Sequence, residues 1–382
     1  MIKIALLGST GSIGKQVLQV VERYPDKFSI VSMAAGSNAV LFSTQVNKFK
    51  PKIACFSNAE RVHEITEIPF ETQLYYGEHA LLHAVTEDAD IVFDAVMGYA
   101  GLNAVKKAIE LKKTVALANK ETLVAGGGLI MPMASKNGVS IIPVDSEHSA
   151  IWQCLNFNAQ KEYKKLIITA SGGALRNVDI DKLSLVSPND ALMHPNWNMG
   201  KKITVDCATM LNKGFEVIEA MWLFGAKRSE IDVVIHPESI IHSMVEFSDG
   251  AVISQMGTPS MEVPIQLALT YPNRLETATA PLNFAGKSLT FNAVDLQRYP
   301  CFKIADIAIE KGYNYPCALS GADEEAVKLF LEGKIKFTDI AIYLEKVLEK
   351  IEKLELSFEN LEYTDRLSRI LVNEIYSKRS GV

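Results

Sequence analysis

Asp145 and Glu147 stand one residue apart where an apolar run, residues 139–144, gives out. If VDSEHSA stays extended, alternate residues share a face and both carboxylates point the same way. Like charges held side by side repel, and a shared proton or a cation relieves them. On residue type alone, a polar turn at a strand end is the plainer alternative. Two further stretches are as dense in chemistry. ALANKETL (116–123) puts Lys120 and Glu121 just after a strand-like run, at the edge where open α/β sheets collect ligands. HPNWNMGKKITVDCATMLNKGFEVIEA (194–220) packs His, Trp, Met, lysines, Asn and Glu together. From Thr209 its apolar residues recur at Met210, Leu211, Phe215 and Ile218, a helical spacing that puts Asn212 and Glu216 on one face.

These segments need elements to hold them. IKIALL (2–7) reads as a strand and KQVLQVVERY as a helix, with GSTGSIG (8–14) between. In that context glycines let backbone N–H groups approach a pyrophosphate, the helix N-terminus adds partial positive charge, and Thr10 and Ser12 offer hydroxyls. Further strands are expected at 28–35, 52–56, 90–96, 114–118 and 139–144, with helix between, such as 102–113. Alternation of this kind predicts a Rossmann-like, doubly wound parallel sheet. The second strand ends AAGSN (34–38) without the acidic residue that binds an NAD ribose, so NADP is favoured, although no Lys or Arg stands there either.

After residue 150 the texture is α+β, with strand-like runs at 165–170, 232–237, 242–247 and 251–256. The stretch 273–300 has little periodicity and reads as a linker. Beyond it the chain is helical: Thr338 is a candidate N-cap for 337–354, with Ile340, Leu344, Val347, Leu348 and Ile351 inward, and Thr364 opens 364–378. The expected fold class is therefore α/β, with an N-terminal Rossmann-like doubly wound parallel sheet (1–145), a central α+β catalytic and metal-binding domain (146–272), the linker, and a C-terminal helical bundle (301–382).

Composition narrows the function. The chain has 382 residues, 48% hydrophobic and 22% charged, enough for a large core. A net charge of -6 argues against general nucleic-acid binding. Five scattered cysteines without a CxxC pair indicate neither a disulfide framework nor a zinc-thiolate site. No signal peptide or membrane-spanning run is legible, so a cytoplasmic setting without membrane partners is expected.

Taken in order, GSTGSIG, ALANKE, PVDSEHSAIWQC, TASGGA, HPNWNMGKKITVDCATMLNKGFEVIEA, HPESIIHSMVEFSDG and RYPCFKIA resemble the motifs of one family along the whole chain. It is the 1-deoxy-D-xylulose 5-phosphate reductoisomerases of the non-mevalonate isoprenoid pathway. The resemblance implies that Asp145, Glu147 and Glu216 ligate a divalent cation, magnesium, manganese or cobalt. It implies phosphate contacts from Ser171, Asn212, Lys213 and position 207, and sugar contacts from Lys120, Ser146 and His194. Lys120, Glu147 and His194 are the implied catalytic set. The resemblance also places Trp197 and Met199 in a mobile flap at about 194–202, Gly200 near the nicotinamide and Met261 in the wall of the site. NADPH would be held by Gly8, Thr10, Gly11, Ser12, Ile13, Gly14, Gly36, Ser37, Asn38, Asn119, Glu121, Met199 and Gly200. A homodimer is a family expectation. One departure stands out: VDCATM has Cys207 where the family has serine, and a thiol is a weak donor. The alternatives are another NADP enzyme, such as a semialdehyde or homoserine dehydrogenase, or a non-catalytic cofactor-sensing protein.

Overall fold

The computed structural model describes residues 1–157, 162–197 and 199–380, and the chain divides into two compact units. The first comprises Met1–Thr122, Ile130–Ser149 and Met261–Thr279; the second comprises Leu123–Leu129, Ala150–Ser260 and Ala280–Val382.

Among the described residues the first unit carries a seven-stranded sheet in the order β4-β3-β2-β1-β5-β6-β7. Its strands are β1 (Ile2–Leu7), β2 (Phe28–Ala35), β3 (Ile53–Phe56), β4 (Gln73–Tyr76), β5 (Ile91–Asp94), β6 (Thr114–Leu117) and β7 (Ile141–Pro143). All six pairings are parallel. Helices cover both faces of such a sheet, which is why β1 and β2 read as almost unbroken apolar runs. The helices are α1 (Ser12–Arg23), α2 (Ala39–Phe49), α3 (Ala80–Ala84), α4 (Ala100–Glu110), α5 (Lys120–Asn137) and α6 (Ser146–Cys154), the last two running on into the other unit. Strand order reverses between β1 and β5, the switch point where such sheets open a crevice for ligands. β4, an edge strand with Gln73 and Tyr76 exposed, has no alternation by which the sequence could announce it.

In the second unit β8 (Lys165–Ala170), β9 (Ile231–Ile235), β10 (Ile241–Glu246), β11 (Val252–Met256) and β12 (Asn292–Ala293) form a mixed sheet ordered β11-β10-β8-β9-β12. β8 and β9 pair in parallel and the remaining pairs are antiparallel. The unit adds α7 (Pro188–Ala191), α8 (Lys201–Thr209) and α9 (Leu211–Phe224), while α10 (Glu262–Thr270) lies in the first unit. There Arg23 on α1 pairs with Glu262, and the Tyr24 hydroxyl donates to the Glu276 carbonyl at 2.5 Å. α11 (Pro300–Lys311), α12 (Tyr315–Leu331), α13 (Asp339–Lys350) and α14 (Phe358–Ser380) complete the chain. Leu211, Phe215 and Ile218 of α9 share a core with Ile304, Leu319, Phe330, Leu344, Val347 and Ile375. Every apolar position read from the period of α13 is buried, and Thr338 precedes it. α14 starts earlier than the sequence suggests, at Phe358. Thr364 is thus an interior residue, 1% exposed, whose hydroxyl accepts from Asn314 Nδ2. No helix among the described residues is long and apolar enough to cross a membrane.

Candidate active site

The first unit's chemistry gathers at the C-terminal ends of β1, β2, β6 and β7. Gly8 has φ +86°, and a Cβ there would lie 2.4 Å from the Ala95 carbonyl oxygen, so only glycine lets the loop fold against β5. Gly8 and Ser9 N–H groups donate to Ala34 O at 2.9 and 2.8 Å, fixing the loop to β2. Gly11 caps α1 without a side-chain hydrogen bond, and the first turn holds no acid. Backbone donors there suit an anion, and the residues fit the pyrophosphate of a dinucleotide. Gly36, Ser37 and Asn38 are exposed beyond β2. Asn38 Oδ1 caps α2 by accepting Leu41 N–H at 3.1 Å, so the donor end of that amide is the end suited to a phosphate.

Lys120 opens α5 and is 7% exposed. Its Nζ donates to Asp145 Oδ2 at 2.8 Å, and buried His148 Nδ1 lies 3.9 Å from the same oxygen. The extended reading of VDSEHSA does not hold: α6 begins at Ser146. Asp145 sits at the helix entrance, where its carbonyl accepts Ser149 N–H at 2.8 Å, and the helix start, not an extended chain, brings oxygens of Asp145 and Glu147 within 4.8 Å of each other. The physical reason is that the short side chains of Asp and Ser favour a helix start over a continued strand. The Ser146 hydroxyl donates to Glu147. Asn119 and Glu121 flank Lys120, both buried, and Met261 precedes α10. Two carboxylates beside a buried lysine provide hard oxygen donors of the kind magnesium takes.

In the second unit the helix inferred from Thr209 is present as α9, and Asn212 and Glu216 share its face: Asn212 Nδ2 donates to Glu216 Oε1 at 2.5 Å. Lys213 pairs with the other Glu216 oxygen. All three are buried, Glu216 to 1% exposure, and its carboxylate is paired with an ammonium and an amide. Ser171 follows β8. His194 Nδ1 accepts two N–H groups, from Asn196 at 3.2 Å and Trp197 at 3.0 Å, so that nitrogen carries no proton. The proton sits on Nε2 and is donated to Ser171 Oγ at 2.9 Å, which also accepts Gly173 N–H at 3.1 Å. With two bonds accepted, Ser171 directs its own O–H elsewhere, as a phosphate ligand requires. Burial, and then the charge of Arg176, push the His194 pKa down to about 4. Asn196 anchors the same segment by donating to Pro237 O at 2.6 Å and Ser239 Oγ at 3.0 Å. Trp197 and Met199 are part-buried and Gly200 is the exposed N-cap of α8; Asn198, within the inferred flap, lies outside the described residues. Cys207 is part-buried on α8.

The inferred residues thus fall into two sets: Gly8 to Gly14, Gly36 to Asn38, Asn119 to Glu121 and Asp145 to Glu147 in one unit, and Ser171, His194 to Gly200, Cys207, Asn212, Lys213 and Glu216 in the other. Arg176, Lys202 and Asp94 carry no signal in the sequence that sets them apart. Arg176, whose guanidinium donates to Ser171 O at 3.3 Å, lay just past the quoted TASGGA. Lys202 is one of several lysines in its motif, yet it links Asp206 and Asp323 at 2.8 and 2.7 Å. Asp94 ends an apolar strand, where an acid reads as ordinary punctuation.

Comparison with known proteins settles the family. A model described as 1-deoxy-D-xylulose 5-phosphate reductoisomerase matches residues 4–127, its C-terminal domain model matches 141–224, and a further DXP reductoisomerase C-terminal domain model matches 256–371. A relative from Halalkalibacterium halodurans is 46% identical over 378 residues, 97% of this chain and 99% of its own.

This chain belongs to the 1-deoxy-D-xylulose 5-phosphate reductoisomerase family.

The reductoisomerase of Geobacter metallireducens is likewise 46% identical, over 92% of this chain and 93% of its own. Among solved structures, a DOX-P reductoisomerase in complex with NADPH, fosmidomycin and magnesium superposes with a TM-score of 0.93 at 35% identity, covering 99% of this chain and 98% of the other. The Zymomonas mobilis reductoisomerase in complex with NADPH gives 0.91 at 36%, covering 98% and 99%. The α/β architecture read from the sequence is that of the reductoisomerases. Four of the five cysteines are buried, and burial lifts Cys55 to about 12 and Cys154 to about 11 and raises Cys301 and Cys317 as well, which disfavours the thiolate a semialdehyde dehydrogenase needs.

Proposed function

We propose that the protein converts 1-deoxy-D-xylulose 5-phosphate to 2-C-methyl-D-erythritol 4-phosphate, with NADPH as reductant and a divalent cation such as magnesium. The observation that carries this reading is the end-to-end match, 97% of this chain to 99% of a reductoisomerase at 46% identity. Asp145, Glu147 and Glu216 are the residues to hold the cation, which supplies Lewis-acid polarisation of the substrate's carbonyl and neighbouring hydroxyl when bound. NADPH, held by the glycine loop and by Gly36 to Asn38, supplies the hydride.

The chain's own residues do the rest. Lys120, a buried ammonium, stabilises negative charge that develops on the sugar oxygens. Glu147 is positioned by the Ser146 hydroxyl to help move a proton, while Ser146 also contacts the sugar. Ser171, Asn212 and Lys213 bind the phosphate, and Ser171 is pre-oriented as donor by the neutral His194. Cys207, in place of the family's serine, gives a weaker fourth donor. The segment 194–202, with Trp197 and Met199, closes over the bound sugar and excludes water, and phosphate binding drives that closure with energy remote from the reacting carbons. The enzyme works as a cytoplasmic homodimer.

The test is NADPH consumption with the deoxyxylulose phosphate, with product identified by mass. Turnover that stops with EDTA and returns with excess magnesium is expected. No consumption in the presence of metal, or full activity in EDTA, overturns the reading.

A further inference from the structure

Asp94 is a fully buried carboxyl that the reaction above does not use. It ends β5 between Leu7 of β1 and Leu117 of β6, so neither strand neighbour offers it a charge. Its carbonyl oxygen accepts Ala118 N–H at 2.9 Å, and its Oδ1 accepts Val96 N–H at 3.2 Å. The side chain therefore sits between two segments: the turn from β5 to α4 that backs the glycine loop, and the residues that lead into Lys120. Gly101 on α4 shows how closely they meet. A Cβ there would lie 2.2 Å from Asn119 Nδ2, 2.5 Å from Asp94 Oδ2 and 3.1 Å from Thr122 Oγ1, so the three groups converge on one point that only glycine leaves open. Asn119 Nδ2 also donates to Gly98 O at 3.0 Å and makes no cap bond to its own helix. Asn119 and Thr122 bracket Lys120 and Glu121 on either side.

We propose that Asp94 is a positioning residue for Lys120, fixing the entrance of α5 to the turn between β5 and α4 through Asn119 and Thr122. The inference rests on the NADPH-dependent reading given above. A lysine that must stabilise transient charge needs a fixed stem, and a buried polar cluster under the helix start provides one. Burial pushes the Asp94 carboxyl up to about 7, opposed chiefly by the Val96 N–H and reinforced by Glu121. Glu121 of α5 is the titratable group that faces it; β1, β6 and α4 present Leu7, Leu117 and Gly101. Below neutrality the carboxyl is protonated and the cluster carries no net charge. Above it, a buried negative charge stands beside Glu121 and loosens the helix entrance.

The experiment compares wild type, Asp94→Asn and Asp94→Ala from pH 6 to 9, reading kcat and KM separately. Wild-type kcat is expected to fall through neutrality, and Asp94→Asn, an isostere of the protonated acid, is expected to keep wild-type kcat within about twofold at pH 6 and to lack that fall. Asp94→Ala is expected to lower kcat by roughly tenfold with the sugar phosphate KM within about twofold, and to cost nothing further in kcat in a Lys120→Ala background. Infrared difference spectra of the unliganded full chain should show a protonated carboxyl, titrating near neutrality, that is absent from Asp94→Asn. Unchanged kcat in Asp94→Ala, an Asp94→Asn profile that keeps the wild-type limb, or no such carboxyl band overturns the proposal. A wild-type protein inactive on the deoxyxylulose phosphate would sink the functional reading instead, and the infrared titration would still judge Asp94.

Discussion

His194 shows how much a single residue's hydrogen bonds decide. Two backbone N–H groups on Nδ1 and a donation from Nε2 to Ser171 leave no place for a second ring proton. The ring stays neutral above a pKa of about 4, so it serves as a fixed donor rather than as a titrating acid. Profiles of kcat/KM for wild type and His194→Gln between pH 5 and 8 should therefore have the same shape. The substitution is expected to raise the sugar phosphate KM by about tenfold, as loss of roughly one good hydrogen bond would, with the NADPH KM unchanged. A wild-type limb that vanishes in the variant would contradict this role. Asp94 makes the opposite case in stability. An unfolded Asp titrates near 3.9 and the folded one at about 7, so the folded state holds the proton more tightly. Stability from this group is complete below about pH 4, declines as pH rises to about 7, and is flat beyond. Asp94→Asn should thus raise the thermal midpoint at pH 8, by an amount corresponding to at most on the order of 4 kcal/mol, and the gain should shrink toward pH 4. A midpoint difference that does not change with pH would contradict the assignment.

At the scale of elements, β2 and β8 are legible residue by residue, because both are apolar runs bounded by turn-forming residues. Helix α9 is legible from its period, and with it the shared face of Asn212 and Glu216. What escapes is start points and edges. α6 opens directly after an apolar strand-like run, and α14 opens before its apolar period becomes regular. The candidate site is legible mainly where rare residue types crowd together, as in 194–220; its supports are not, because Asp94 meets Asn119 and Thr122, and Lys202 meets Asp323, only in the folded chain. Lys202 is the clearest support. It reaches from α8 to Asp323 on α12 as well as to Asp206, both nearly wholly buried, and lies 5.3 Å from the Phe215 ring centroid. Lys202→Met leaves two buried acids facing each other and should cost about 3 kcal/mol in thermal or urea unfolding. Adding Asp323→Asn should recover part of that loss; an unfolding midpoint unmoved by Lys202→Met would show the network to be without energetic weight.

The whole molecule divides its chemistry between a parallel sheet whose switch point suits a dinucleotide and a mixed sheet backed by helices that carries Ser171, His194, Lys213 and Glu216. Asp145 and Glu147 belong to the first unit and Glu216 to the second. A protein built this way should bind NADPH through its first unit whether or not Glu216 can take a metal. The most direct measurement is the affinity for manganese, followed by its paramagnetic signal in the presence of NADPH, in wild type and in Glu216→Gln. Manganese binding is expected to be weakened by at least about tenfold in the variant, with NADPH affinity unchanged. Equal manganese affinity in the two proteins would contradict it.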